Sequence, residues 1–135
     1  MNTTLARKWS TIASHSLSGP RPATITEFDD AYAAGVKVAF GTDTFGMSNH
    51  GENAQEFALL VKAGMTPMEA IKAATWNAAD LLGATKDVGS VQAGRYADMI
   101  AVDADPLADV TVLERVAFVM KGGTVYKAGG RALIP

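Results

Sequence analysis

The segment from residue 38 to residue 43, Val-Ala-Phe-Gly-Thr-Asp, constrains this chain more than any other part of its sequence. A short run of β-forming residues ends on small residues and then on one carboxylate, where parallel α/β enzymes place catalytic groups. Because side chains alternate along a strand, Asp43 shares a face with Ala39, while Val38 and Phe40 point the opposite way. The pattern predicts a strand with a bulky face packed under helices and a small face that leaves room beside the carboxylate.

Composition narrows the class of protein. The chain has 135 residues, of which 48% are hydrophobic and 19% charged, and this is typical of one folded domain. Its net charge of -2 offers no basic surface, and no apolar run reaches the roughly 18 residues of a membrane span. We therefore expect small-molecule partners and no binding to nucleic acid or membrane. The sequence has no apolar core of a secretory signal, and we expect a cytoplasmic location.

The residues that could bind a metal are few. Cysteine is absent, which excludes cysteine-ligated zinc, and the histidines are His15 and His50.

Helical signals surround the strand. Leu5, Trp9 and Ile12 recur at helical spacing, which predicts a first helix. Thr66 and Glu69, with a proline between them, form the pattern of a capping box that opens a later helix. Glycine at positions 35, 64 and 83 marks the ends of three helices. The predicted elements are a helix over residues 4–16, a helix over 26–35, the strand over 36–41, a helix over 53–63 and two short helices over 66–74 and 75–83.

From residue 88 the sequence changes to short β-type runs separated by glycine and proline. The run 97–103 predicts a strand, and the runs 116–121 and 124–127 predict a hairpin around the Gly-Gly pair between them. We therefore divide the chain into an α/β segment over residues 1–87 and a β segment over residues 88–135.

Several stretches carry a family resemblance together. They are residues 34–43 (Ala-Gly-Val-Lys-Val-Ala-Phe-Gly-Thr-Asp), 50–53 (His-Gly-Glu-Asn), 63–71 (Ala-Gly-Met-Thr-Pro-Met-Glu-Ala-Ile), the residues around Thr75, Asn77 and Gly83, Gly89 with Gly94, and 97–103 (Ala-Asp-Met-Ile-Ala-Val-Asp). In this order and spacing they resemble the C-terminal third of the amidohydrolase superfamily. The nearest members in pattern are the imidazolonepropionase-like and Xaa-Pro-dipeptidase-like metal-dependent hydrolases.

The resemblance implies the fold class. Such hydrolases have a (β/α)8 barrel flanked by a small β-sandwich that is assembled from both ends of the chain. This α/β chain would then be a C-terminal fragment: strand 36–41 would be the last barrel strand, residues 53–83 the helices that follow it, and residues 89–135 the C-terminal share of the sandwich.

The resemblance also implies a site. Asp43 would be a catalytic residue and a ligand of a divalent metal, which is zinc in the expected case. A bound metal lowers the pKa of water, and a neighbouring carboxylate can move the proton to the leaving nitrogen of a small amide, dipeptide or cyclic amide. His50, in the following loop, is either a substrate-binding residue or a residue that orders the loop. Glu52 and Asn53 are expected to cap the helix that follows.

The chain lacks most of the family's metal site. The resemblance calls for a His-x-His pair, a carbamylated lysine or substitute carboxylate, and two single histidines, all on earlier strands, and a catalytic zinc generally takes about three protein ligands. We therefore expect a non-aromatic C–N hydrolase that is incomplete as given and holds no metal stably alone. The alternative is a non-catalytic remnant that serves as an interaction or structural domain. A lone barrel strand has two unpaired edges, which predicts marginal stability, a homo-oligomer or a complementing fragment.

Overall fold

The computed structural model describes residues 9–11, 28, 30–42 and 51–133. Helix and sheet occur together, as predicted, and the described helices include none that is long and apolar enough to cross a bilayer. The elements are the strands β1 (Trp9–Thr11), β2 (Lys37–Ala39), β3 (Met99–Ala101), β4 (Phe118–Lys121), β5 (Thr124–Ala128) and β6 (Arg131–Ala132), the helices α1 (Gln55–Lys62), α2 (Pro67–Lys72) and α3 (Ala78–Leu81), a π-helical segment (Ala73–Asn77) and a 3-10 turn (Val110–Glu114). Residues 30–33 are also helical.

β1 and β2 form a parallel pair, with Trp9 opposite Lys37 and Thr11 opposite Ala39. The helix predicted over residues 4–16 is therefore wrong at residues 9–11. Serine and threonine at positions 10 and 11 are weak helix formers, and pairing with the open edge of β2 outweighs the helical spacing of apolar residues. The expectation that both edges of β2 are unpaired is wrong as well, because β1 covers one of them.

Gly35 ends the helical residues before β2, as predicted. Its N–H donates to the Tyr32 carbonyl at 2.9 Å, and the N–H of Val36 donates to the Ala31 carbonyl at 3.0 Å. This is the Schellman pattern, and it requires the left-handed backbone that Gly35 adopts, with a φ of 76°. The same pair of hydrogen bonds closes α1 at Gly64 and α3 at Gly83. The chain thus enters β2 directly from a helix, which is how parallel strands are connected.

The bulky face of β2 is buried, as predicted. Val38 is 4% exposed and belongs to one cluster of buried side chains. Phe40 packs beside it against Phe57, with ring centroids 4.7 Å apart. The other members of the cluster are Phe28, Leu60, Met65, Ala70 and Ala73. Each large apolar side chain buried here stabilises the fold by about 1.5–3 kcal/mol.

The small face of β2 differs from the expectation. Ala39 is also only 4% exposed, so this face is not open at that point. Lys37, on the same face, forms an ion pair with Asp80 at 2.5 Å, which places α3 beside the beginning of the strand.

The predicted capping box at the start of α2 is present. The Thr66 hydroxyl accepts from the Glu69 N–H at 3.3 Å, and the Glu69 carboxylate accepts from the Thr66 N–H at 2.8 Å.

The predicted break near residue 74 is wrong, because α2, the π-helical segment and α3 are continuous through helical backbone at Ala73 and Asn77. Thr75 donates its hydroxyl to the Ile71 carbonyl at 2.8 Å. This side-chain bond competes with the backbone ladder and accompanies a widened turn rather than a helix end.

The four C-terminal strands form an antiparallel sheet in the order β3-β4-β5-β6. Gly122 and Gly123, with φ values of 56° and 80°, make the tight turn between β4 and β5, so the predicted hairpin is confirmed. The Asp98 carboxylate accepts from the Gly122 N–H at 2.7 Å and holds this turn against the start of β3.

The segment between α3 and the sheet crosses the π-helical segment. The Arg95 guanidinium lies 5.4 Å from the centre of the Trp76 ring and donates to the Val88 carbonyl at 2.8 Å. Gly89 approaches so closely that a Cβ atom there would lie 2.7 Å from the Cβ atom of Ala79. The backbone of this segment therefore packs directly on the helix.

Candidate functional site

The two site residues predicted from the sequence, Asp43 and His50, lie outside the described residues. Their roles stay predictions. The structure does describe the residues on both sides of them, because it includes Thr42 at the end of the strand region and Gly51 before α1. These flanking residues show how the fold holds the chain immediately before and after the segment 43–50.

The C-terminal end of β2 is held by the π-helical segment. The Phe40 N–H donates to the Ala73 carbonyl at 3.0 Å, and the Asn77 side chain donates to the Val38 carbonyl at 2.9 Å. In an extended strand the backbone groups of residues 38 and 40 point to the same edge. The helix therefore satisfies backbone groups along one edge of the strand that leads to Thr42.

The beginning of α1 is joined to the same strand end by Asn53. Its side-chain Nδ2 donates to the Thr42 hydroxyl at 2.8 Å, and its Oδ1 accepts from the Gly51 N–H at 3.2 Å. The side chain thus links residue 42, which precedes the segment 43–50, to residue 51, which follows it.

The prediction that Glu52 and Asn53 cap α1 is wrong. The N-cap residue of α1 is Ala54, and no side chain caps it. The N–H groups of residues 55–57 instead donate to the carbonyls of residues 52–54 at 3.0–3.2 Å. Because a tight backbone turn already satisfies these donors, the Asn53 side chain is available for other contacts.

Glu56 is a residue that sequence reasoning missed. It lies in the first turn of α1, is 5% exposed, and is the one buried charged side chain among the described residues. A carboxylate in a first helical turn is favoured by the helix dipole. The signal was its spacing: Glu56 stands four residues before the buried Leu60, so both lie on the face of α1 that packs inward.

A cleft of about 190 Å³ opens at the other end of β2, beside Lys37 and Glu69. Lys72 also lines it, and the other two charged groups have structural partners. Lys37 is paired with Asp80, and the hydroxyl and N–H of Thr66 lower the pKa of Glu69 to about 2, with a further hydrogen bond from Tyr32. Glu69 is thus committed to its capping box, and Thr42, the described residue that precedes Asp43, lies beyond the opposite end of the strand.

The described residues contain no group of three or more His, Asp or Glu side chains placed to hold a metal ion. The acid predicted to be a ligand, Asp43, is not among them. The described residues next to the predicted site are therefore those of β2, the π-helical segment and the start of α1.

Comparisons with known proteins identify the family. Residues 12–126 match the sequence model of the Amidohydrolase family. Over 108 residues the chain is 41% identical to ochratoxinase from Aspergillus niger, and the match covers 76% of this chain and 22% of that protein. It is 37% identical over 102 residues to imidazolonepropionase from Shouchella clausii, covering 72% of this chain and 23% of that protein.

A solved structure shares the fold. The crystal structure of a Xaa-Pro dipeptidase with methionine bound in its active site aligns with a TM-score of 0.75 and 44% identity, over 78% of this chain and 26% of that one. The chain thus spans between 22% and 26% of the length of these relatives. The resemblance read from the sequence motifs is confirmed, and the chain belongs to the amidohydrolase family.

Proposed function

We propose that this chain is the C-terminal portion of a metal-dependent hydrolase that cleaves a non-aromatic C–N bond in a small amide, a dipeptide or a cyclic amide. The observation that carries the proposal is the family match over residues 12–126, which includes the whole segment from β2 through α1. Relatives named as a dipeptidase and as imidazolonepropionase support the substrate class.

The proposal includes an architecture. Residues 1–87 would supply the terminal α/β segment of a (β/α)8 barrel, with β2 as its last strand and the helices that follow, and residues 88–135 would supply the C-terminal share of a β-sandwich. Two features support this division. β1 and β2 are parallel with helical residues between them, as consecutive barrel strands are, and the strands after residue 88 form a separate antiparallel sheet.

Asp43 would act at the mouth of that barrel. It follows Thr42, whose hydroxyl is held by Asn53, at the carboxyl end of β2. A divalent metal, in the expected case zinc, supplies an acidified water when it is bound. The Asp43 carboxylate would ligate the metal, accept a proton from that water and return it to the leaving nitrogen. His50, at the other end of the same segment, would contact the substrate.

The remaining ligands would come from outside this chain. A catalytic zinc generally takes about three protein ligands, and a single carboxylate does not meet that number. The proposal therefore concerns the complete polypeptide encoded by the gene. It predicts that an upstream part of that polypeptide carries the His-x-His pair and the other metal ligands.

The test is to express the complete reading frame that contains this chain and to measure its metal content and its hydrolysis of Xaa-Pro dipeptides, N-acyl amino acids and cyclic amides. We expect stoichiometric divalent metal and turnover of at least one class. Asp43→Asn should lower kcat by about 10²–10⁴-fold without changing the unfolding midpoint. The exposed Asp103→Asn is the matched control and should leave turnover unchanged.

Two results would overturn the proposal. Full turnover by Asp43→Asn would remove the assigned role of that residue. A complete polypeptide with neither bound metal nor hydrolysis of any substrate class would instead support the alternative of a non-catalytic interaction or structural domain.

A further inference from the structure

The two edges of β2 have different neighbours. Among the described strands, β1 alone pairs with β2, along one edge. At the other edge the Phe40 N–H donates to the Ala73 carbonyl at 3.0 Å, and the Asn77 side-chain amide donates to the Val38 carbonyl at 2.9 Å. Both partners belong to the π-helical segment, so a helix lies where a second neighbouring strand would lie.

The two bonds reproduce the pattern of a parallel strand pair. In that pattern, one residue of the neighbouring strand accepts from the N–H that follows its opposite residue and donates to the carbonyl that precedes it. The opposite residue here is Ala39, which lies between Val38 and Phe40. The Ala73 carbonyl is the acceptor, and the Asn77 amide is the donor. These two residues of the π-helical segment together replace one residue of a strand.

The sequence of the helix permits this close approach. Ala70 and Ala73 are both 0% exposed, and neither has atoms beyond Cβ that would keep the helix backbone away from the strand. A carbonyl oxygen has two lone pairs, so the Ala73 carbonyl can accept the strand N–H in addition to a bond within its helix. The donor comes from the Asn77 side chain, because N–H groups inside a helix are used by its own hydrogen bonds.

Both bonds lie in the protein interior. Val38 is 4% exposed and belongs to the same buried cluster as Ala73. A buried carbonyl or N–H that loses its partner is costly, so these groups do not exchange the helix for water without a loss of stability. Just before the strand, the Val36 N–H is also taken, by the Ala31 carbonyl at 3.0 Å.

We propose that the π-helical segment occupies the edge of β2 opposite β1, so that no further strand pairs with β2 at Val38 and Phe40. The excluded partners are a strand from an upstream part of the complete polypeptide and β2 of a second copy. An open strand edge is a template for pairing with another chain, and a covering helix is one way in which proteins prevent this.

The covered edge limits how the proposed barrel could close. An upstream strand would reach the backbone groups of β2 only before Val38, since the Val38 carbonyl and the Phe40 N–H already have partners. A strand that bonded there would first have to displace the helix from both groups. This limit holds whether or not Asp43 is catalytic, because it depends on backbone hydrogen bonds alone.

Nuclear magnetic resonance of the 135-residue chain identifies the acceptor of the Phe40 N–H. We expect a scalar coupling across the hydrogen bond, from the amide nitrogen of Phe40 to the carbonyl carbon of Ala73. The measurement uses the wild-type sequence, so it does not depend on the folding of a variant. A coupling from Phe40 to a carbonyl of any strand, or a Phe40 amide without protection from exchange, would overturn the proposal.

Hydrogen exchange in the complete polypeptide tests whether the edge stays covered when upstream strands are present. Asn77→Asp keeps the shape of the side chain and removes its donor. It should speed exchange of the Phe40 amide by about fivefold, the effect of losing about one net hydrogen bond. The exposed Gln92→Ala is the control and should leave this amide unchanged. Unchanged exchange in Asn77→Asp would overturn the proposal, because the helix would then not hold this edge. Neither measurement uses turnover, so both remain decisive if the proposed function fails.

Discussion

The chain up to Gly83, which contains β1, β2 and the helices and is called the helical region below, differs from the C-terminal sheet in how it is stabilised. The helical region has a cluster of buried side chains that includes Val38 and Leu60, each 4% exposed. No strand residue of the sheet β3–β6 is buried, and Ile100 and Tyr126 are 54% and 43% exposed. The first region thus has its own core, whereas the sheet is held by backbone hydrogen bonds and leaves apolar side chains in contact with solvent.

The difference shows where the two regions depend on each other. The buried residues after Gly83 lie in the 3-10 turn, at Val110, Val112 and Leu113, and this turn contacts α1. The segment around Gly89 packs on the π-helical segment. The sheet is therefore attached to the helical core at its connections rather than through its own faces.

The largest expected effect is the difference in unfolding free energy between two variants, each of which truncates one apolar side chain in one of the regions. Leu60→Ala leaves a cavity in the core and should lower the free energy of unfolding by about 3 kcal/mol, whereas Ile100→Ala should change it by less than about 1 kcal/mol. Urea unfolding followed by circular dichroism measures both. Equal losses would break the comparison, since they would mean that the sheet face is covered in solution.

The next effect tests the attachment between the regions. Gly89→Ala places a Cβ atom 2.7 Å from that of Ala79 at a φ of 94°, whereas Gly94→Ala, at a φ of 85°, meets nothing within 4 Å. Both variants lose about 1 kcal/mol of unfolding free energy from backbone strain, and Gly89→Ala loses about 2 kcal/mol more from the clash. Urea midpoints measured in parallel give the difference. Identical losses would show that this approach does not constrain the packing.

A smaller effect concerns the strand edge that the helix covers. Asn77→Ala removes the donor to the Val38 carbonyl and should cost about 1–2 kcal/mol of unfolding free energy, because a partly buried carbonyl loses its partner. The exposed Gln92→Ala is the control and should lie within about 0.5 kcal/mol of the wild type. If Asn77→Ala matches that control, water replaces the side chain and the strand end is less constrained than the contact suggests.

The smallest effect depends on pH and belongs to the helical region alone. Hydrogen bonds from Thr66 lower the pKa of Glu69 from 4.5 to about 2 in the folded protein. A carboxylate whose pKa is lowered by folding stabilises the folded state while it is ionised. The stabilisation by Glu69 is therefore present above pH 4.5 and is lost as the pH falls from there towards about 2. The stability difference between wild type and Glu69→Gln, measured by urea unfolding across this range, should shrink as the pH falls. A difference that stays constant would mean that the carboxylate charge does not matter.

Local signals predicted much of the fold. The capping box at Thr66, the helix ends at Gly35 and Gly64, and the hairpin at Gly122 are all set by hydrogen bonds between residues a few positions apart. Such bonds need only the right residue at the right offset, and sequence shows this directly.

The incorrect predictions involve partners that are distant in sequence. Trp9 pairs with β2 across 28 positions instead of joining a helix, and Asn53 binds Thr42 instead of capping α1. In each case a tertiary contact outweighed a local preference of about 1 kcal/mol or less, and periodicity does not reveal such a contact.

The sequence by itself determined the family, the strand that leads to Asp43 and most helix ends, because these depend on ordered motifs and short-range geometry. Only the tertiary structure decided how the end of that strand is fixed. The bonds from Phe40 to Ala73, from Asn77 to Val38 and from Asn53 to Thr42 join residues 11 to 39 positions apart. Their formation depends on the packing of helices around a shared core, which brings distant polar groups within hydrogen-bond distance.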